Sequence, residues 1–386
     1  MPDVLTLDSE TSTHNKGNPF DKRNFCVTIH SKVNDETTIC KRYDEPDFVT
    51  VLKSKLVPGI RLVGHNIKFD IHWLSNLRVE FPDPIRVWDT MLAEFVLSGQ
   101  TSSFASLNEL AGKYGLPLKK DVVAEYWEKG ISTENIPPEI VEEYGNWDVD
   151  LTYQVYLKQL EDPRMTDKIM KLILLQGADL LVLQEMEYNG LKYNKDKSLQ
   201  LAEECRVRIK EIETELLQIG NIEKLNFDSD DQLSCYLYGG SYSEDVYAPH
   251  TSILKSGPRK GQERTVNRFV RTDVREFSGF FTPLKGTNLK KEGYYSTAGD
   301  VLKQLKATSK VQKRIVSLLC ERADLAKLSG TYYEGLPNLM NEMNWDEFIH
   351  GQYNQVVART GRLSSSRPNM QNNPIQADML FESRYD

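Results

Sequence analysis

Apolar residues recur along this chain in two rhythms. Over the first 160 positions short apolar runs alternate with stretches of helical spacing. VLTLDSE (4–10) is an apolar run ending in two acids, as a strand delivers side chains to a site at its end. FCVTIHSKV (25–33) and TTICKRY (37–43) flank a polar turn at Asn34-Asp35 and predict an antiparallel hairpin. Asp47–Leu56 reads as a helix, and GIRLVGHN as a strand leading into a helix start at KFDIHWLSNL. Ser106–Tyr114 and Glu139–Leu160 have helical periodicity, with Pro137-Pro138 at the start of the second. This mixture predicts an α/β domain over roughly 1–160.

Asp162-Pro163 marks a change of rhythm. Long helices are expected over 165–188 and 195–218, and in pieces over 296–344, with little strand signal outside 235–295. The second half therefore reads as mainly helical, interrupted by an irregular, Gly-rich and basic insertion at about 240–295. The most apolar stretch, LILLQGADLLVLQEM, is broken by Gln176, Asp179 and Gln184 and reads as a helix with one buried face. No unbroken apolar run reaches membrane-spanning length, and the start lacks the basic-apolar-small order of a signal peptide.

Composition changes this picture little. A chain of 386 residues, 39% hydrophobic and 27% charged, suits a globular protein of two domains rather than a disordered one. Five cysteines, odd in number and without CxxC spacing, argue against a disulfide framework or a zinc site and for a reducing cytoplasm. A net charge of −8 argues weakly against a protein that coats nucleic acid by charge alone and does not exclude DNA binding, because local distribution matters. KSGPRKGQERTVNRFVR (255–271) carries six Lys or Arg against one Glu. It reads either as a solvated loop or as a phosphate-contacting hairpin, the second favoured by Val266, Phe269 and Val270 among the basic residues.

The candidate chemistry lies in four acids: Asp8 and Glu10 in VLTLDSET, Asp70 in GHNIKFDIHWL, and Asp148 in EEYGNWDVDLTYQVY. Tyr144 stands four residues before Asp148, on the same helical face. Carboxylates converging on one point repel each other and need cations to be tolerable. Their oxygens suit magnesium or manganese, and two such ions form a clamp for phosphodiester hydrolysis. Asp-x-Glu alone carries little information, because surface strands hold it often; its place at the end of an apolar strand adds weight. Asp89 and Asp150 read as structural acids.

Taken in this order, on a strand end, a helix start and a helix, these motifs resemble the DnaQ-like 3′→5′ exonuclease superfamily, in its subgroup with tyrosine in the third motif. The resemblance implies an RNase H-like mixed sheet with helices. It implies that Asp8, Glu10 and Asp148 hold the metal that activates water, with Asp8 bridging to a second ion that Asp70 reaches largely through water. It makes Tyr144 the residue that orients the attacking water, Asn66 a contact to the terminal nucleotide, and Phe69 a packing residue beneath the site.

A second resemblance covers the remainder. LVLQEMEYNGLKYN (181–194) is similar to the segment opening the polymerase part of family A DNA polymerases. LNFDSDDQLSCYLYGG (225–240) resembles that family's thumb, although Asp230 stands where proline is usual. YYSTAGDVLKQL and LLCERADLAKLSGTYYEGL match later thumb helices, and IHGQYNQVVARTGRLSSSRPNMQNNP (349–374) contains the family's Thr-Gly-Arg-Leu-Ser-Ser and Pro-Asn-x-Gln-Asn strings. Arg359 and Arg362 supply cations for a DNA backbone, and Gly361 permits close approach. Ser364, Ser365, Asn369, Gln371 and Asn372 offer neutral donors to phosphates and minor-groove acceptors. The insertion is similar to that of phage-type members, which implies a phage source and a host cytoplasm.

The expected division is an exonuclease domain over 1–162, a thumb-like helical region over 163–345, and an incomplete palm over 346–386. Neither palm aspartate of the family's polymerase site is present, nor the fingers helix, and FESRYD reads as the lead-in to the first palm strand. The expected function is a metal-dependent 3′→5′ DNA exonuclease that proofreads within a split family A polymerase. Its partners would be single-stranded 3′ ends, primer-template and a second chain carrying palm and fingers, with a processivity factor at the basic insertion left open and no membrane. Alternatives are a noncatalytic DNA-binding subunit, a truncation of a full-length polymerase, and an RNA-trimming exonuclease, the last disfavoured by the thumb strings.

Overall fold

The computed structural model describes residues 3–119, 122–254 and 261–384. The basic positions 255–260, and Tyr385 and Asp386 of the expected palm lead-in, lie outside the described residues. Two compact units form: one runs to Asp196 and resumes at Leu336, the other is Lys197–Gly335.

The first unit is built on a five-stranded mixed sheet. Its strands are β1 (Val4–Thr11), β2 (Cys26–Val33), β3 (Ile39–Arg42), β4 (Arg61–Gly64) and β5 (Arg86–Asp89), in the order β3-β2-β1-β4-β5. β1 pairs antiparallel with β2 and parallel with β4, which makes it the central strand. Leu5, Leu7, Ile29, Leu62 and Trp88 are almost wholly buried, and each contributes about 2 kcal/mol by leaving water.

Helices α1 (Thr50–Lys55), α2 (Lys68–Asn76), α3 (Thr90–Leu97), α4 (Leu107–Lys113), α5 (Ala124–Glu128), α6 (Pro138–Leu160) and α7 (Asp167–Asn189) follow the strands. Ser106 caps α4 in a reciprocal capping box with Glu109, satisfying backbone donors at the helix start. The proline pair starts α6 at Pro138, as expected. β5 and α3 carry no clear sequence signal: the strand is four residues long, and the helix is buried nearly all round, so periodicity is absent.

Helix α7 packs on β5 through Gly177, where a Cβ would lie 2.3 Å from the Val87 carbonyl oxygen. That contact places α7 in the sheet's own unit, so this unit continues past residue 162 as far as Asp196. β6 (Leu191–Tyr193) follows it.

The second unit contains α8 (Lys195–Gly220, from Lys197 onward), α9 (Asp230–Tyr238), β7 (Gly240–Ile253), β8 (Glu263–Phe277), α10 (Gly299–Leu302) and α11 (Lys310–Lys327). Ile212, Leu216, Tyr236, Ile315 and Leu318 form its core, and Tyr236 donates to the Leu216 carbonyl. Ion pairs Arg314–Glu215 and Arg322–Glu213 lace α8 to α11.

Much of the insertion is regular. β7 and β8 make a long antiparallel ribbon with a bulge at Val246/Tyr247. The hairpin reading of the basic stretch agrees with β8; the length of the ribbon was not legible because, apart from Tyr242, its side chains are largely exposed and little apolar-polar alternation is selected.

The chain re-enters the first unit within α12 (Gly335–Glu342). β9 (Phe348–Ile349) and the terminal β12 (Phe381–Glu382) flank β6 in a three-stranded antiparallel sheet. Between them β10 (Gln352–Asn354) pairs with β11 (Ser364–Ser366), followed by the short α13 (Ile375–Asp378). Among the described residues no helix is long and apolar enough to cross a membrane, and all five cysteines are free thiols.

Candidate active site

Alternation along β1 puts Asp8 and Glu10 on one side of the strand, paired with His30 and Thr28 of β2. Helix α6 lies against β1 and β2 and brings Asp148 to the same place. The close approach depends on Gly145, where a Cβ would come within 2.4 Å of the His30 ring. His30 is fully buried between Asn146 Oδ1 and Thr28 Oγ1, each 2.9 Å from a ring nitrogen. Burial holds His30 down at about 4, so it is neutral at ordinary pH and acts as a spacer between sheet and helix.

Carboxylate oxygens of Asp8, Glu10 and Asp148 all lie within 4.8 Å of one another. Asp70 stands beside this trio on the first turn of α2, where its Oδ1 accepts from the Ser9 backbone N–H at 2.9 Å and the Ser9 hydroxyl at 2.6 Å. The electrostatics follow from crowding. Burial, with Asp148 next, pushes Asp8 up to about 7; burial, with Asp8 and then Asp148, raises Glu10 well above the carboxylate range. Burial and the Asp8 charge raise Asp70 against the lowering effect of the Ser9 hydrogen bonds. A cation entering here relieves both the desolvation and the mutual repulsion.

One cation of the chain is already present. Lys119 pairs with Asp148 and lies over the Tyr144 ring, 2.9 Å from its centroid. Tyr144 itself packs edge-on to Trp127. Lys119 escaped the sequence reading; its only signal there is the Lys119-Lys120 pair ahead of α5, common on any surface loop.

A cleft of about 480 Å³ is bordered by Asn66, Phe69, Phe104, Gln352, Asn354 and Arg367. Asn66 is exposed in the left-handed region (φ 56°), its backbone N–H held by Asp89 Oδ1. Asp89 also caps α3 through Met91 and Leu92, and Asp150 pairs with Lys32, so both acids are structural, as expected. Phe69 is half-buried, edge-on to Trp73.

The expected DNA-contact residues near the end of the chain divide. Arg359, Arg362, Asn369, Gln371 and Asn372 are exposed, and Ser364 is half-buried on β11. Gly361 turns the loop with φ 74°. Ser365 does not belong with them. It is buried, donates to the Pro368 carbonyl and accepts from the Met370 N–H, so it holds the turn rather than facing a phosphate.

The comparisons with known proteins agree with this geometry. Residues 2–162 match the family described as 3'-5' exonuclease, and residues 276–385 match DNA polymerase family A. The two matches place a stretch similar to 3′-5′ exonucleases ahead of a stretch similar to part of family A polymerases. It is 28% identical over 329 residues to the DNA polymerase I of Synechocystis sp., covering 83% of this chain and 28% of the relative. With the DNA polymerase I of Bacillus subtilis it shares 24% identity over 291 residues, 75% of this chain and 27% of the relative. The chain thus spans under a third of these relatives' length. A solved structure, the POL domain of Pol1 from M. smegmatis in complex with DNA primer-template and dNTP, aligns with a TM-score of 0.63 at 18% identity, over 97% of this chain and 53% of that one. At that identity the likeness shows a shared fold. The α/β region followed by helical thumb elements is what the exonuclease-polymerase family arrangement requires.

Proposed function

We propose that this chain removes nucleotides from DNA 3′ ends by metal-dependent phosphodiester hydrolysis, as the proofreading part of a family A polymerase. The observation that carries the reading is the Asp8-Glu10-Asp148 trio, with Asp70 held at its edge by Ser9. Three crowded carboxylates and no thiol or imidazole ligand among them make a hard, anionic donor set, which fits magnesium or manganese. Bound there, such ions supply activated water and neutralise charge on the leaving 3′ oxygen.

The chain's own residues do the rest. Asp8, Glu10 and Asp148 would hold the ions, with Asp70 beside them. Tyr144 orients the attacking water, and Asn66 and Phe69 seat the terminal nucleotide. Lys119, paired with Asp148, would compete with the ions for that carboxylate.

The test is incubation with 3′-labelled single-stranded DNA and magnesium. Stepwise nucleotide release is expected, falling at least about a hundredfold in Asp8→Ala, since a ligand carboxylate is lost. Release unaffected by that change would refute the site.

For the polymerase half, we propose that DNA synthesis draws on palm and fingers carried by a second chain. Large apolar side chains left in solvent beside the edge strand β12, Ile375 (84% exposed) and Met379 (56%), favour a covering partner there. A phage gene acting in a host cytoplasm suits that arrangement. Co-purification with a palm-and-fingers fragment and restored primer extension is expected; a pair that neither associates nor extends a primer refutes it.

A further inference from the structure

Three elements distant in sequence meet on one buried carboxylate, Glu187 of α7 (3% exposed). Lys68 and His72, one helical turn apart on α2, stand on either side of Asp70 in sequence. Lys68 Nζ lies 2.6 Å from Glu187 Oε1, and His72 Nε2 lies 2.8 Å from Oε2. Gln184 Nε2 donates to His72 Nδ1, which fixes the ring with its proton on Nε2, toward Glu187.

The third partner is the β10–β11 hairpin. The Tyr353 N–H donates to Glu187 Oε1 at 2.6 Å, and Lys68 also reaches the Tyr353 carbonyl. The Glu187 carbonyl accepts from His350 Nδ1 at 2.8 Å. Tyr353 pairs with Ser365, inside the Thr-Gly-Arg-Leu-Ser-Ser segment. Support of α2 alone needs only Lys68 and His72. The Tyr353 bond adds the hairpin to the same carboxylate, and the cleft between Asn66 and Arg367 runs beside it.

We propose that Glu187 is a positioning residue that sets the Asp70 helix at a fixed offset from the β10–β11 hairpin, so that a primer strand gripped at the hairpin is delivered to the carboxylates. This rests on the exonuclease reading above. A short single strand needs only the carboxylates. A primer-template also engages the hairpin, and so depends on the offset between the two. A fully paired buried carboxylate holds such an offset well, because every donor around it loses its partner if either element shifts.

The test uses the full chain with magnesium and two substrates: a single-stranded trinucleotide and a primer-template with a mismatched 3′ end. Glu187→Gln keeps the side-chain shape but leaves one accepting oxygen for three donors. The double variant Lys68→Met/Glu187→Gln removes the stranded ammonium as well, so that a folded, charge-balanced protein is measured alongside. In both, kcat/KM on the primer-template is expected to fall about tenfold or more, as misplacement by an ångström does, with the trinucleotide rate within about twofold. Equal losses on both substrates, or no loss on either, would overturn the coupling. A parent chain that cuts neither substrate would instead refute the exonuclease reading on which it rests.

Discussion

Asp8 is where residue chemistry has the largest measurable consequence. Its folded value of about 7 lies above the ordinary 3.8, so across that window the native state holds a proton that the unfolded chain has released. Stability of the metal-free protein therefore declines as pH rises from about 4 to about 7, and Glu10, raised likewise, adds to the slope. A divalent ion binds only the ionised trio, so its stabilising effect grows over the same range. Melting temperatures with chelator and with magnesium, at about pH 6 and about pH 8, check this; the magnesium increment is expected to be larger at the higher pH. Ser9 offers a second test. Removing its hydroxyl in Ser9→Ala leaves Asp70 with the backbone N–H alone. Exonuclease turnover is then expected to fall about 10- to 100-fold, as for other residues that orient a metal ligand. Asp8, Glu10 and Asp148 were legible because their motifs, in order on a strand end and a helix, resemble a known exonuclease pattern. Lys119, Ser9 and His30 were not, since each matters only through a partner that folding supplies.

At the scale of elements, two glycines decide how closely helices approach the sheet. Gly145 admits the His30 ring beneath α6, and Gly177 admits the Val87 carbonyl beneath α7. In Gly177→Ala the intrinsic helix preference improves by about 1 kcal/mol. The new methyl meets backbone at 2.3 Å, which cannot rotate away. Overpacking of this kind costs about 1–3 kcal/mol, so the clash wins and net destabilisation is expected in urea unfolding. The long helices, the β2–β3 hairpin and the central strand were readable from periodicity. The β7–β8 ribbon was legible only as one of two readings of its basic stretch, because its strands are largely exposed, and β5 and α3 were too short or too evenly buried to show a period.

For the molecule as a whole, the proposed function requires a chain of net charge −8 to concentrate cations where DNA would run. Arg359 and Arg362 stand exposed in the loop before β11. Replacing both with alanine is expected to weaken primer-template binding and to lower the salt slope by about one per arginine, while trinucleotide hydrolysis is retained. Binding titrations across salt concentrations check it; an unchanged slope would place the DNA elsewhere.

The amino-acid order by itself determined the acidic motifs, an α/β first domain and the helical second half, because each is written in local spacing and local spacing sets local structure; the mixed sheet was implied by the family resemblance. Tertiary structure alone decided that Asp70 hangs from Ser9, that Lys119 sits on Asp148, that Ser365 holds a turn, and that Glu187 joins α2 to the hairpin. These are meetings between residues distant along the chain. A buried polar group takes whatever partner the packed chain brings within 3 Å, and no short-range pattern records which one that will be.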